Sequence, residues 1–263
     1  MKINMVGGGF QHDICSSAHN KNKYVDWVKD NSSNVSIHID WSILEGIGDK
    51  SKKKYAWLAE SSAIIDKLIE KVKLNIDTIN NEYELIFTHD KRLLSLSPKI
   101  RYAIPNACPW VKEVGIHTKN KLVSMIGSNK NMCPGHRYRL DWIRKLYGSL
   151  PIYGWGHNTI PTKDMGFKDF YFSIAMENDN YHSIFTEKIT DAFAMGTVPI
   201  FWGSPDISEF FNEKGVIRLT DDFKLSDLSV DLYHSKMEYI KENFERALNL
   251  PTAEDFIYLN YLK

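Results

Sequence analysis

The chain has 263 residues, enough for one large domain or two small ones and for a sizeable core. Its 33 Lys and Arg balance its 33 Asp and Glu, which removes any electrostatic pull towards nucleic acid or an acidic membrane. Cys15, Cys108 and Cys133 are odd in number and form no CxxC, which argues against a zinc site or disulfide scaffold and for reduced thiols in a cytosol-like compartment.

No apolar run is long enough to span a bilayer, and MKINMVGGGF has no signal-peptide core, so a cytoplasmic chain without a transmembrane segment is expected. Residues 2–6 read as a strand into a turn at Gly7, Gly8 and Gly9. This is not a dinucleotide fingerprint, because His12 stands where the third glycine belongs. His12 and Asp13 are too generic to be assigned as a dyad. Residues 24–28 read as helical and 35–39 alternate like a strand. Lys52, Lys53 and Lys54 read as a solvated turn, and 55–58 as a short buried strand ending at Glu60. A carboxylate there suits a catalytic base, and equally a helix cap or first-turn acid.

Ile65, Leu68, Val72, Ile76 and Ile79 share one face of a helix over 62–79. A strand over 83–88 ends in His89 and Asp90, and 102–110 reads as an aromatic, proline-punctuated linker. Strands and helices thus alternate, which predicts a parallel sheet with crossovers. A boundary is expected between Trp110 and Lys119, dividing the chain into lobes 1–115 and 116–263. A strand at 122–126 and a helix at 136–147 open the second lobe. Arg137, Arg139, Arg144 and Lys145 make that helix basic. A strand at 151–156 follows.

The most informative stretch runs from Asp169 to Phe211. Residues 171–176 read as a buried strand, Glu177 to Asn180 as a polar loop, and Thr186 as a helix N-cap. Ile189, Ala192 and Phe193 form the apolar stripe, Gly196 is a C′ stop, and 198–202 is a second strand. Glu187 and Lys188 then lie in the helix's first turn. A lysine there opposes the helix dipole, which points to an anion nearby. Residues 215–219 read as the last strand, 232–250 as a helix and 256–262 as a short closing helix.

The order Glu177, Asn178, Thr186, Glu187, Lys188, Val198, Pro199, Ile200, Gly203 resembles the α-1,3-fucosyltransferases of glycosyltransferase family 10, with its F-x-F-E-N block, T-E-K run and following V-P-I strand. The resemblance covers about forty residues closely and extends more weakly back to Leu122. It implies an α/β, GT-B-like fold: two Rossmann-like lobes with parallel sheets, a cleft between them, and a closing helix that often returns to the N-terminal lobe. It implies inverting transfer of fucose from GDP-fucose to a glycan hydroxyl. It assigns Arg139, with Arg137 as alternate, and Lys188 to the diphosphate, where arginine's fork suits phosphate oxygens. Glu187 and Asn178 would hold the ribose and the oxocarbenium-like sugar, and Glu60 would be the base. The family's tyrosine before the T-E-K run is Ile184 here, with Tyr181 as its substitute.

No metal is required on this reading, though Mn2+ stimulation is known in parts of the family. Replacing Lys188 is expected to weaken donor binding without unfolding the chain. Two other readings remain: a GT-B transferase using another nucleotide sugar, and a non-catalytic glycan-binding protein. Asp13 and Asp90 are the alternative bases.

Overall fold

The computed structural model describes residues 1–7, 21–30, 32–48 and 53–263. Gly8, Gly9, His12, Asp13, Cys15 and Lys52 lie outside the described residues. Two compact units are present. The first comprises Met1–Asn106, His182–Ile184 and Pro251–Lys263, and the second Ala107–Tyr181 and Phe185–Leu250.

Among its described residues the first unit holds six parallel strands: β1 (Lys2–Val6), β2 (Asp26–Val28), β3 (Val35–Ile39), β4 (Lys53–Leu58), β5 (Ile86–Thr88) and β6 (Ile100–Tyr102). Their order is β2-β1-β3-β4-β5-β6. Helices α1 (Ser42–Glu45), α2 (Asp66–Leu74) and α3 (Ile76–Glu82) connect them. Ile43, Ala56, Leu58, Leu68, Val72, Ile79, Ile86 and Ile100 pack one core. Burying each large aliphatic side chain contributes about 1.5 to 3 kcal/mol.

Several local expectations fail here for physical reasons. The segment read as helical around Tyr24 is the edge strand β2, paired with β1 through Lys2 and Asp26, Ile3 and Trp27, Asn4 and Val28. Long-range contacts decide it: the amides of Lys23 and Tyr24 donate to Asp255 at 2.8 and 3.0 Å, and Trp27 Nε1 donates to Glu254 at 3.2 Å. Glu254 and Asp255 come from the closing helix Ala253–Ile257, so tertiary contacts override a weak local preference.

The helix read over 62–79 begins only at Asp66 and breaks at Asn75. The Asn75 side chain donates to the Lys71 carbonyl at 2.8 Å, competing locally with the helical ladder. Lys53 and Lys54 are not a solvated turn but open β4. Lys54 is buried, paired with Glu82 at 2.6 Å and donating to the Gly46 carbonyl at 2.8 Å.

The second unit holds β7 (Lys121–Ile126), β8 (Ile152–Tyr153), β9 (Phe170–Met176), β10 (Val198–Trp202) and β11 (Ile217–Arg218), all parallel, in the order β11-β10-β9-β7-β8. Helices α4 (Pro134–Leu146), α5 (Glu187–Ala194), α6 (Val230–Ser235) and α7 (Met237–Leu248) pack with it. Phe172, Ile174 and Met176 of β9 and Val198 and Ile200 of β10 are buried with Trp142 and Ile143 of α4. A strand covered on both faces reads as a continuous apolar run, which is why these two were legible. The helix read over 232–250 is instead α6 and α7, parted at Lys236. There Ser235 Oγ returns to the Leu232 carbonyl at 2.7 Å.

Cys108 and Cys133 are buried. Among the described residues no helix is long and apolar enough to cross a membrane.

Candidate active site

Beyond the carboxyl end of β9 the chain leaves the sheet at Glu177, whose amide donates to the Trp202 carbonyl at 2.8 Å. Ligands in open parallel sheets bind beyond this end of the strands. Glu177 is fully buried. Its carboxylate accepts from the Thr186 amide at 2.7 Å and the Thr186 hydroxyl at 2.9 Å. Thr186 therefore occupies the N-cap position of α5, but its side chain makes no cap bond and serves Glu177 instead. Gly196, at φ 63°, ends the helix in the left-handed region that glycine tolerates.

Lys188 Nζ lies 3.2 Å from Glu177 Oε2 and 3.7 Å from Glu187 Oε1, and donates to Thr186 Oγ1 at 2.8 Å. This corrects the argument from misplacement: the lysine has an internal reason to stand in the first turn, because two carboxylates face it. Burial lowers its proton affinity, but Glu177 and Glu187 more than compensate and hold it charged.

Lys163, which no sequence signal marked, pairs with Glu187 at 3.0 Å and with fully buried Asp191 at 2.9 Å, and sits over the Trp110 ring at 4.5 Å. Asp191 also accepts from the Trp110 and Val111 amides at 2.5 and 3.1 Å. Burial raises the Glu187 carboxyl, but Lys163 and Lys188 outweigh it and pull it down to about 2. Glu187 is therefore a fixed anion at neutral pH. Asp191 stands four residues after Glu187, on the same helix face, and that spacing was a usable signal.

Of the two arginines considered, Arg139 is buried and Arg137 exposed. Arg139 Nη1 donates to the Met176 carbonyl at 3.3 Å and Nη2 to Ser128 Oγ at 3.2 Å. Its Nε is buried without a hydrogen-bond partner among the described residues. Burial lowers its proton affinity, opposed by Glu177, Cys133 and Glu187.

Asn178 is gripped by the start of α4. Cys133 Sγ donates to the Asn178 carbonyl at 3.3 Å, and a methyl group on Gly135 would stand 2.1 Å from that same oxygen. His136 Nε2 lies 3.0 Å from Asn178 Oδ1. Tyr181 is buried in the loop between β9 and α5. Arg139, Asn178, Thr186, Glu187 and Lys188 thus come together within the second unit.

Glu60 belongs to the first unit, where it is exposed just beyond β4. Its Oε1 accepts from the Ser61 amide at 2.7 Å. Helix α2 starts only at Asp66, so the first-turn reading of Glu60 is wrong. Asp40, which sequence reasoning missed, follows β3 in the left-handed region at φ 50°. Its Oδ1 accepts from the Ala59 and Glu60 amides at 2.9 and 3.3 Å. Burial pushes its carboxyl up to about 6. Asp90, an alternative base, is already committed: it is buried, receives Arg92 Nη2 at 2.7 Å and accepts from Ser62 Oγ at 2.6 Å. Among the described residues no cluster of three or more His, Cys, Asp or Glu could hold a metal.

Residues 116–246 match the model of the family described as "Glycosyltransferase family 10 (fucosyltransferase) C-term". The chain is 30% identical over 166 residues to an α-(1,3)-fucosyltransferase, FucT, of Helicobacter pylori, covering 59% of this chain and 34% of that protein. It thus spans about a third of the curated relative's length. The structure resembles a crystal structure of an α1,3-fucosyltransferase with a TM-score of 0.52 at 15% identity, covering 95% of this chain and 81% of that one. A crystal structure of an α1,3-fucosyltransferase with GDP-fucose gives 0.51 at 14% identity, covering 95% and 82%. At such identities the likeness shows the fold, an α/β GT-B-like pair of parallel-sheet units.

Proposed function

The chain belongs to glycosyltransferase family 10 through residues 116–246, and from that premise we propose that it transfers fucose from GDP-fucose to a glycan hydroxyl with inversion at the anomeric carbon. The observation that carries this reading is the cluster beyond β9. Two cations, Arg139 and Lys188, and the polar groups Asn178, Thr186 and Glu187 stand where a parallel sheet binds its ligand. The names of the Helicobacter pylori relative and of the structural neighbour solved with GDP-fucose support the donor.

Glu60 takes the proton of the acceptor hydroxyl as its oxygen bonds to the anomeric carbon. The bond from that carbon to the β-phosphate oxygen breaks, and its electron pair leaves with GDP. Lys188 and Arg139 meet the developing diphosphate charge. Arg139 offers an uncommitted Nε, whereas the diphosphate competes with Glu177 for Lys188. Glu187, held ionised by Lys163 and Lys188, accepts hydrogen bonds from ribose hydroxyls.

Ile184 in place of the family's tyrosine bears on which sugar is preferred. Donor hydrolysis and transfer measured with GDP-fucose, GDP-mannose and UDP-sugars test the reading. GDP-fucose should be preferred; preference for another donor would leave the diphosphate grip and remove fucose. Binding of glycans but of no nucleotide would overturn catalysis altogether.

A further inference from the structure

We propose that His136 is a positioning residue that turns Asn178 so that its amide NH2, and not its carbonyl, is offered to a phosphoryl oxygen of the nucleotide sugar; this rests on the donor-site reading above. The logic starts from a donor whose proton is not in question. The backbone amide of Met132 donates to His136 Nδ1 at 3.1 Å, so Nδ1 must be the unprotonated nitrogen. A neutral imidazole then carries its proton on Nε2. That N–H needs an acceptor, and the atom 3.0 Å away is Asn178 Oδ1. Had Asn178 been flipped, two donors would face each other inside the protein, which is costly.

The carbonyl of the Asn178 side chain is therefore spent on the histidine. Its Nδ2 has no hydrogen-bond partner among the described residues. The backbone of Asn178 is fixed at the same time, by Cys133 Sγ at 3.3 Å and by the close approach that only glycine allows at Gly135. An amide NH2 is a pure donor, so it selects an acceptor oxygen, which moves Asn178 from the ribose and sugar role implied by the resemblance to the diphosphate. Lys188, Arg139 and Lys130 also act electrostatically on His136, so the amide shares its surroundings with the two cations assigned to the diphosphate. Burial, then Arg139, pushes the His136 pKa down to about 4, outweighing the bond to Asn178. The ring therefore stays neutral and the tautomer holds throughout the physiological range.

Two substitutions separate positioning from mere packing. In His136→Gln the side-chain amide nitrogen takes the place of Nε2 and can still donate to Asn178. In His136→Asn the side-chain oxygen can accept from Met132, but nothing reaches Asn178. Calorimetric GDP affinity should stay within about threefold of wild type in H136Q and fall roughly tenfold in H136N, the worth of one net hydrogen bond. Nitrogen-15 NMR of the wild-type imidazole should show the neutral Nε2–H form from pH 7 to pH 5.

An Nδ1–H tautomer, or H136N binding GDP as wild type does, overturns the proposal while leaving the donor site standing. Equal losses in both variants assign His136 to packing alone and also overturn it. A wild-type chain that binds no GDP overturns the donor-site reading itself, and the positioning role with it.

Discussion

Removing Lys188 separates its two possible duties. Lys188→Ala takes the ammonium from 3.2 Å of Glu177 Oε2 and from 2.8 Å of Thr186 Oγ1. Glu177 has no exposed surface, so it cannot turn to water. Two unit charges at that separation attract by about 5 kcal/mol at an effective dielectric constant near 20. Breaking a buried pair by deleting one partner typically costs about 3 to 5 kcal/mol. The Thr186 amide and hydroxyl remain on Glu177, and Lys188 is a quarter exposed, so water can enter. The lower end, about 3 kcal/mol of stability, is therefore expected.

The expectation from sequence is that the substitution does not unfold the chain, and the ion pair adds that the chain folds with less stability in reserve. GDP affinity should also fall, by about 1.5 to 3 kcal/mol for one charge-assisted contact. Glu177→Gln in the Lys188→Ala background distinguishes the duties: it should restore much of the stability and none of the affinity. Urea midpoints and calorimetry on the single and double variants provide both numbers. An unchanged midpoint for Lys188→Ala would refute the internal ion pair. Unchanged GDP affinity would refute the diphosphate role.

Glu60→Gln should lower transfer by about 10² to 10⁴-fold while GDP affinity stays near wild type, because the proposed nucleotide contacts belong to the second unit. If turnover survives, Asp40, with its raised pKa near 6, is the next base to test, ahead of Asp90, which Arg92 occupies. Lys119→Met should cost roughly 1 to 3 kcal/mol in a denaturation experiment, because it removes a buried amine, whose pKa burial lowers to about 7, and leaves several acceptors without it. The carbonyls of Phe167, Lys168 and Met195 and Thr197 Oγ1 surround its Nζ at 2.6 to 3.2 Å and share its N–H donors. A loss below about 0.5 kcal/mol, the range of ordinary surface substitutions, would contradict that role.

The sequence by itself determined the class of fold and the buried strands around which the second unit is built. Buried strands such as Phe170–Met176 and Val198–Trp202 carry their own signal, since a strand covered on both faces needs a continuous apolar run. The N-cap position at Thr186, the stop at Gly196 and the first-turn placement of Glu187 and Lys188 are local backbone chemistry and were legible for that reason. Glu60 could be named as a candidate because residue type and strand exit are visible in one dimension, whereas Arg139, inside α4, was named only through the family resemblance.

Tertiary structure decided what each charge faces. Lys163 and Asp191 stand 28 residues apart in sequence and 2.9 Å apart in space. His136 and Asn178 stand 42 apart and 3.0 Å apart. Asp40 reaches the Glu60 amide across 20 residues. The edge strand at Trp27 depends on carboxylates 227 to 232 residues further along the chain. Periodicity and capping report only on neighbours within a turn or two. A side chain's charge state and orientation depend on burial and on partners brought in by the sheet order, and no local pattern encodes those.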